Sequence, residues 1–163
     1  DRGRGAVVLP VSFRGAIAGL IYRHVNPLVT PKYIYTPGLQ ASSILFGWDM
    51  LPEVPDKVVI VEGPLDAMWL WQCGVPAVAL LGAQISRAQA ALLSGRTRVI
   101  ILALDRDDAG RRGTEQALRL LSKRVMVRVA TLPSEHKDVQ ECNCLELGVI
   151  MTEAVDAAAG VLP

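Results

Sequence analysis

The sequence predicts an α/β protein whose central sheet is parallel. Short apolar runs at residues 57–62, 77–81, 98–104 and 125–130 alternate with stretches of helical pattern. Runs rich in β-branched residues are typical of strands buried on both faces, and intervening helices imply parallel pairing with right-handed crossovers. We therefore predict a sheet of roughly four parallel strands flanked by helices.

The first part of the chain has a different pattern. Residues 6–11 and 16–22 indicate two strands, and the turn at 13–15 joins them into a β-hairpin. Residues 26–40 contain three prolines and a glycine and are predicted to be loop. A proline-rich joint at 51–56 is the preferred boundary, so a small mixed α/β subdomain precedes the parallel sheet.

Helices are predicted between and after the parallel strands. Pro64 suits a first turn, Gly74 suits a helix end, and Ser86 suits an N-cap. The helices are expected at about 64–73, 87–93, 109–123 and 145–159, with a polar loop at 134–144. The resulting division is an N-terminal subdomain at 1–55, the parallel domain at 56–145 and a C-terminal helix or tail at 146–163.

Acidic side chains follow two of the predicted strands directly. Glu62 comes after the first parallel strand, and Asp105 and Asp107 come after the third. Ligands bind at the carboxyl edge of open α/β sheets, so these three carboxylates are expected to converge there. Two charges about 5 Å apart repel by roughly 3 kcal/mol at an effective dielectric of about 20. Hard oxygen ligands without His or Cys favour Mg²⁺ or Mn²⁺.

The same aspartates have a simpler interpretation. Asp is a good N-cap, and helix N-termini favour negative charge, so Asp105 and Asp107 would merely begin the next helix. Three acids at two strand ends, each followed closely by glycine, favour the metal site over capping alone.

The charge, the cysteine content and the lengths of the apolar runs limit which classes of protein the chain can belong to. The net charge of +1 gives no global basic field, so nucleic acid would have to bind through a local patch. The three cysteines cannot all pair within one chain, which favours a reducing, cytoplasmic setting. Cys142 and Cys144 near His136 could suggest a zinc site, but their spacing fits no standard four-ligand site. No apolar run approaches the ~20 residues of a membrane span, and no signal peptide is evident.

The acidic motifs resemble those of the TOPRIM domain. The resemblance lies in Glu-Gly-Pro-Leu-Asp at 62–66 and Asp-Arg-Asp-Asp-Ala-Gly-Arg at 105–111. That domain is shared by bacterial-type (DnaG-like) primases, type IA and type II topoisomerases, and some nucleases. The form of both motifs, the Leu81-Gly82 pair and the Lys-Asp-x-x-Glu-Cys segment at 137–142 resemble primases, the last especially phage primase-helicases.

The N-terminal piece extends the resemblance to roughly residues 6–148. Gly15, Gly19 and Arg23, followed by Pro-Lys-Tyr at 31–33, are similar to the subdomain that precedes TOPRIM in primases. There are two departures. Tyr35 stands where these primases usually have Asn, and Gln140 replaces the second acid of a late Asp-x-Asp segment. Because Asp1 is not Met and no zinc ribbon or helicase motif occurs, the chain is expected to be part of a longer protein.

The resemblance implies roles for particular residues. The implied catalytic residues are Glu62, Asp105 and Asp107. The implied metal ligands are Glu62, Asp105, Asp107, Asp108 and Asp138. Nucleotide or DNA contacts are implied for Arg23, Lys32, Tyr33, Gly63, Asp66, Gly82, Arg111 and Lys137. Asp66 could equally be an acid of the first helical turn, favoured by the helix dipole. Arg111 could equally form an ion pair with Asp108 or Glu115.

The implied activity is that of a DNA primase core, a Mg²⁺- or Mn²⁺-dependent nucleotidyltransferase that makes short RNA primers. Its implied partners are a single-stranded DNA template, ribonucleoside triphosphates and a replicative helicase, fused or separate, in the cytoplasm and away from membranes. Two alternatives remain open. One is a TOPRIM nuclease or topoisomerase-like domain that cleaves DNA, and the other is a non-catalytic module that binds nucleotide and metal.

Overall fold

The first sheet is antiparallel and lies in the N-terminal part of the chain. In the computed structural model, which describes residues 5–82 and 84–157, its strands are β1 (Ala6–Phe13), β2 (Ala16–His24) and β3 (Tyr33–Tyr35), in the order β1-β2-β3. Arg14 and Gly15 turn the hairpin with φ of 56° and 80°. The hairpin was predicted from the sequence. The third strand was not, because it lies within the proline-rich stretch that was expected to be loop.

The second sheet contains the predicted parallel strands. They are β4 (Lys57–Val61), β5 (Ala77–Ala79), β6 (Val99–Leu102) and β7 (Met126–Val129), and a short β8 (Val155–Asp156) follows. The order is β5-β4-β6-β7-β8, in which the first four strands are parallel and β8 runs antiparallel to β7. The predicted α/β fold with four parallel strands is therefore confirmed. Strands β4 and β6 are adjacent at the centre, which brings their carboxyl ends together.

Four helices connect or follow these strands. They are α1 (Pro64–Gln72), α2 (Arg87–Ser94), α3 (Asp108–Leu121) and α4 (Cys144–Glu153), with 3₁₀ turns at Trp48–Met50 and Val139–Glu141. The parallel sheet has one hydrophobic core on each face. Alternate residues of β4 pack into one core or the other, because successive side chains of a strand point to opposite faces. Val59 packs with residues of α1, α4 and the hairpin, whereas Val58 packs with residues of α2 and α3.

The hairpin sheet is attached to the parallel sheet through the segment between them. The Asp49 carboxylate accepts the backbone N–H groups of Arg14 at 2.7 Å and Gly15 at 2.9 Å. Phe46 forms an antiparallel bridge with Ala79 on the edge strand β5. These contacts fix the N-terminal sheet against the carboxyl edge of the parallel sheet. The proposed division into units at 1–55, 56–145 and 146–163 stays a prediction.

The predicted last helix ends earlier than expected. Helix α4 stops at Glu153, and the chain then extends to form β8 instead of continuing to residue 159. Asp156 pairs with Arg128 of β7, with 2.8 Å between Oδ1 and Nε, so an ion pair and two strand pairings favour the extended form. Residues 158–163 of the predicted tail lie outside the described residues.

The sequence did not predict how the cysteines pair. Cys73 at the end of α1 and Cys144 at the start of α4 form a disulfide, which leaves only Cys142 as a buried thiol. Helix α1 contacts the 3₁₀ turn Val139–Glu141 just before α4, and the two Cα atoms of the disulfide are 5.1 Å apart. A disulfide runs against the reducing setting inferred from the odd cysteine count, and cytoplasmic location stays a prediction. Among the described residues, no helix is long and apolar enough to cross a membrane.

Candidate active site

A cavity of about 250 Å³ opens at the carboxyl ends of β4 and β6. We call it the acidic pocket. Nine of the residues predicted for the site line it: Lys32, Tyr33, Glu62, Gly63, Asp66, Gly82, Asp105, Lys137 and Asp138. Four other predicted residues are not among the described residues that line it: Arg23, Asp107, Asp108 and Arg111. The pocket thus joins residues from the hairpin sheet, two strand ends and the loop before α4.

Glu62 and Asp105 are the two half-buried acids at the strand ends. Burial, followed by the charge of Asp105, raises the pKa of Glu62 to about 7. Burial also raises the pKa of Asp105 to about 6, with further contributions from Asp66 and Asp138 and an opposing one from Lys137. Glu62 Oε1 is buried and has no hydrogen-bond partner among the described residues. A carboxylate oxygen without a partner, among other carboxylates, fits a hard divalent cation such as Mg²⁺ or Mn²⁺.

Asp107 has the helix-capping role that was considered from the sequence. Its Oδ1 accepts the backbone N–H groups of Ala109 and Gly110, both at 2.9 Å, at the start of α3. These hydrogen bonds lower the pKa of Asp107, which is exposed. Its charge nevertheless contributes to the raised pKa of Glu62. Capping and cation binding are compatible, because both hydrogen bonds use Oδ1 alone.

Asp66 is buried at the base of the pocket. Its Oδ2 accepts the Gly63 backbone N–H at 3.0 Å, the contact expected of a first-turn acid, and Oδ1 accepts the Gln140 amide at 2.5 Å. Burial raises the pKa of Asp66, and the Gln140 hydrogen bond opposes that rise. The contact between Asp66 and Gln140 joins α1 to the segment before α4. Its signal in the sequence was the Gln at position 140, which marked a departure from primases.

Lys32 and Tyr33 line the acidic pocket, and Arg23 lies beside the Tyr33 ring. The Arg23 guanidinium lies 5.4 Å from the centre of the Tyr33 ring, and Lys32 Nζ lies 6.0 Å from it. Arg23 Nε is buried without a hydrogen-bond partner in the described part of the chain. Tyr35, the other departure from primases, donates its hydroxyl to the Leu81 carbonyl at 3.1 Å. This contact ties β3 to the Leu81-Gly82 segment of the pocket.

Asp108 and Arg111 occupy the exposed first turn of α3, where they form an ion pair with each other. This is the alternative that the sequence offered for Arg111. Arg111 also donates to the Arg106 carbonyl at 3.1 Å, on the segment between Asp105 and Asp107. Their predicted roles as metal ligand and nucleotide contact stay predictions.

Replacing Glu62 by Gln should stabilise the protein in EDTA at pH 8. The folded-state pKa of about 7 exceeds the ordinary value of 4.5, so ionised Glu62 destabilises the fold as pH rises through that window. The expected gain in the free energy of unfolding is about 1–2 kcal/mol at pH 8, after allowance for half exposure, and it vanishes below pH 4.5. Urea unfolding of both proteins across this pH range measures it. Glu53→Gln, at an exposed position, is the matched control, and a gain independent of pH would contradict the interpretation.

The fold and the acidic pocket define a class: a parallel α/β domain that gathers carboxylates at the ends of its two central strands. The Toprim-like family profile matches residues 59–143, and the chain belongs to that family. The matched segment runs from β4 through the loop before α4, and it contains all the pocket acids.

Most of the chain is similar to known primases. The DNA primase of Thermotoga maritima is 37% identical in a 150-residue alignment, which covers 86% of this chain and 26% of that protein. A DnaG primase catalytic domain bound to single-stranded DNA has a TM-score of 0.80 and 27% identity, covering 96% of this chain and 54% of that one. The primase fragment of the bacteriophage T7 primase-helicase has a TM-score of 0.68 and 28% identity, covering 87% and 60%. The chain thus spans about a quarter of the length of the Thermotoga relative.

Proposed function

We propose that this chain is the catalytic core of a DNA primase, a metal-dependent nucleotidyltransferase that makes short RNA on single-stranded DNA. The observation that carries the proposal is the composition of the acidic pocket. Carboxylates suited to a divalent cation face Lys32 and Tyr33 from the hairpin sheet and Lys137 from the loop before α4. The similarity to primases extends through both parts of the chain that build this pocket.

Glu62 and Asp105 would hold the cation, with Asp107 and Asp138 at the margin. Positive charge held at Glu62 and Asp105 by Mg²⁺ or Mn²⁺ would offset the charge that develops on the transferring phosphate and on pyrophosphate. Ion binding requires Glu62 and Asp105 to be ionised, so protons leave the pocket as it fills. The raised pKa values of both groups make this release measurable near neutral pH.

The basic residues would position the nucleotide. Lys32 and Lys137 both line the pocket and would pair with triphosphate oxygens. Arg23, which lies beside the Tyr33 ring, would contact the template or the nucleotide phosphates. These contacts would hold the α-phosphate in line with the 3′-hydroxyl that attacks it while pyrophosphate leaves. A replicative helicase, fused or separate, is the proposed partner, as the phage relative is a primase-helicase.

The proposal is tested by incubating the chain with single-stranded DNA, labelled ribonucleotides and Mg²⁺ or Mn²⁺. A parallel reaction supplies the same template with a short annealed RNA primer, so that extension is measured separately from initiation. We expect metal-dependent RNA products, with extension the stronger reaction. Nicked template DNA would favour a cleaving TOPRIM domain instead. Bound nucleotide without any RNA product in either reaction would favour a non-catalytic module.

A further inference from the structure

A second group of metal-binding side chains lies outside the acidic pocket. His136, Cys142 and Glu146 each offer one ligand atom, and the three atoms lie within 4.8 Å of one another. A tetrahedral zinc site with bonds of about 2.0–2.3 Å separates its ligand atoms by roughly 3.3–3.8 Å. Side-chain rotations that move the atoms by about 1 Å are therefore enough to close a site. We propose that these three residues bind one Zn²⁺ ion, with a water molecule in the fourth position.

The orientation of His136 supports a metal ligand. Its Nε2 lies 3.9 Å from Glu146 Oε2, and its Nδ1 lies 3.9 Å from Glu141 Oε2 on the other side of the ring. Metal-binding histidines usually direct their second ring nitrogen to a carboxylate, which fixes the tautomer that leaves the first nitrogen free. Glu141 is in the right place for that role. The His136 side chain is only 20% exposed, so the ring is held in a confined space.

The backbone around the group is held firmly. The Cys142 carbonyl accepts the Trp69 indole N–H at 2.9 Å, and the Glu146 carboxylate accepts the Asn143 N–H at 2.7 Å at the start of α4. The Glu141 carboxylate accepts the Lys137 N–H at 2.7 Å. Cys142 is buried, whereas His136 and Glu146 reach solvent, so an ion has a route of entry. The ligands need little ordering when the ion arrives.

The ligand chemistry separates this site from the acidic pocket. A thiolate and an imidazole favour Zn²⁺ over Mg²⁺, whereas the proposed ligands in the acidic pocket are carboxylates. The sequence raised zinc through Cys142 and Cys144, but the sulfur of Cys144 is in the disulfide. Glu146, two residues further along the chain, is the ligand in its place. The spacing Cys-x₃-Glu across the start of α4 gave no recognisable zinc signature.

Zinc at this point would connect the loop before α4 to the helix itself. That loop supplies Lys137, Asp138 and Gln140 to the acidic pocket. The ion would therefore set the position of one pocket wall without taking part in the chemistry. The zinc site is independent of the proposed primase activity, since any function of the pocket would use the same loop.

The test measures metal binding directly. The purified chain, without reductant, is titrated with Co²⁺ and then with Zn²⁺, and metal content is measured after dialysis. Because Cys142 is the only cysteine outside the disulfide, a thiolate-to-cobalt charge-transfer band reports this residue alone. We expect the band to saturate at one Co²⁺ per chain and to disappear when Zn²⁺ displaces Co²⁺. Absence of the band, with cobalt held by carboxylates only, would overturn the proposal.

Variants assign the ligands. Cys142→Ser should abolish the band, and His136→Asn and Glu146→Gln should each lower zinc affinity at least tenfold. Glu146→Gln is the more informative change, because Gln preserves the helix-capping contact and so the fold. Glu141→Gln should weaken binding by roughly 10- to 100-fold through His136. Exposed Glu135 provides the matched control, since Glu135→Gln should leave binding unchanged. Wild-type affinity in both His136→Asn and Glu146→Gln would refute the site.

Discussion

Asp105→Asn is expected to abolish RNA synthesis while leaving the fold as stable as before or more stable. The substitution removes one of the two half-buried carboxylates proposed to hold the catalytic cation, and an amide cannot replace its charge. Loss of one such electrostatic contact lowers turnover by about 10²–10³-fold, and loss of the ion lowers it further. The primed-template reaction measures the rate, and urea unfolding in EDTA measures stability.

The stability measurement separates a lost ligand from a damaged fold. Burial raises the pKa of Asp105 to about 6, so at pH 8 the ionised group destabilises the metal-free protein. A neutral Asn relieves that cost, and the unfolding midpoint should stay or rise. Asp56→Asn is the matched control, because exposed Asp56 precedes β4 at the end opposite to Glu62. Equal loss of activity in both variants, or a large drop in stability with Asp105→Asn, would contradict the assignment.

The parallel sheet and its acidic edge could be predicted because their signals are local. The runs before Glu62 and Asp105 are apolar on both faces, and a buried parallel strand is the simplest structure for them. Because the two strands are adjacent, their ends bring Glu62 and Asp105 together regardless of the conformation of the connecting loops. The same logic placed α1, α2 and α3 within one or two residues.

The features that sequence reasoning missed depend on contacts between distant residues. Strand β8 has only two residues. Its pairing with β7 includes an ion pair between Arg128 and Asp156, which are 28 residues apart in the sequence. The Asp66–Gln140 hydrogen bond spans 74 residues, and the disulfide spans 71. No periodicity or turn signal encodes such pairs. The sequence offered helix capping by Asp107 only as an alternative to metal binding. One carboxylate can do both, because Oδ1 caps the helix and the other oxygen remains for a cation.

Gly110→Ala is expected to lower both stability and activity, although Gly110 carries no chemistry. A Cβ at this position would lie 2.0 Å from the Asp105 carbonyl oxygen and 2.8 Å from its carbonyl carbon. These atoms are backbone, so the first turn of α3 or the strand end that carries Asp105 must move. Overpacking of this kind costs about 1–3 kcal/mol. A displacement of Asp105 near 1 Å would lower turnover on the order of 100-fold.

A glycine on another helix provides the control. Gly148 lies on the exposed face of α4, and a Cβ there meets nothing within 4 Å among the described residues. Gly148→Ala should therefore be neutral or stabilise the protein by about 0.4–1 kcal/mol, since Ala restricts the unfolded chain. Measuring urea unfolding and primed RNA synthesis for both variants isolates the effect of the close approach at Gly110. If Gly110→Ala matched Gly148→Ala in both measurements, the turn between Asp105 and α3 would tolerate a side chain. The close contact between Gly110 and the Asp105 backbone would then not be what holds Asp105 in place for the cation.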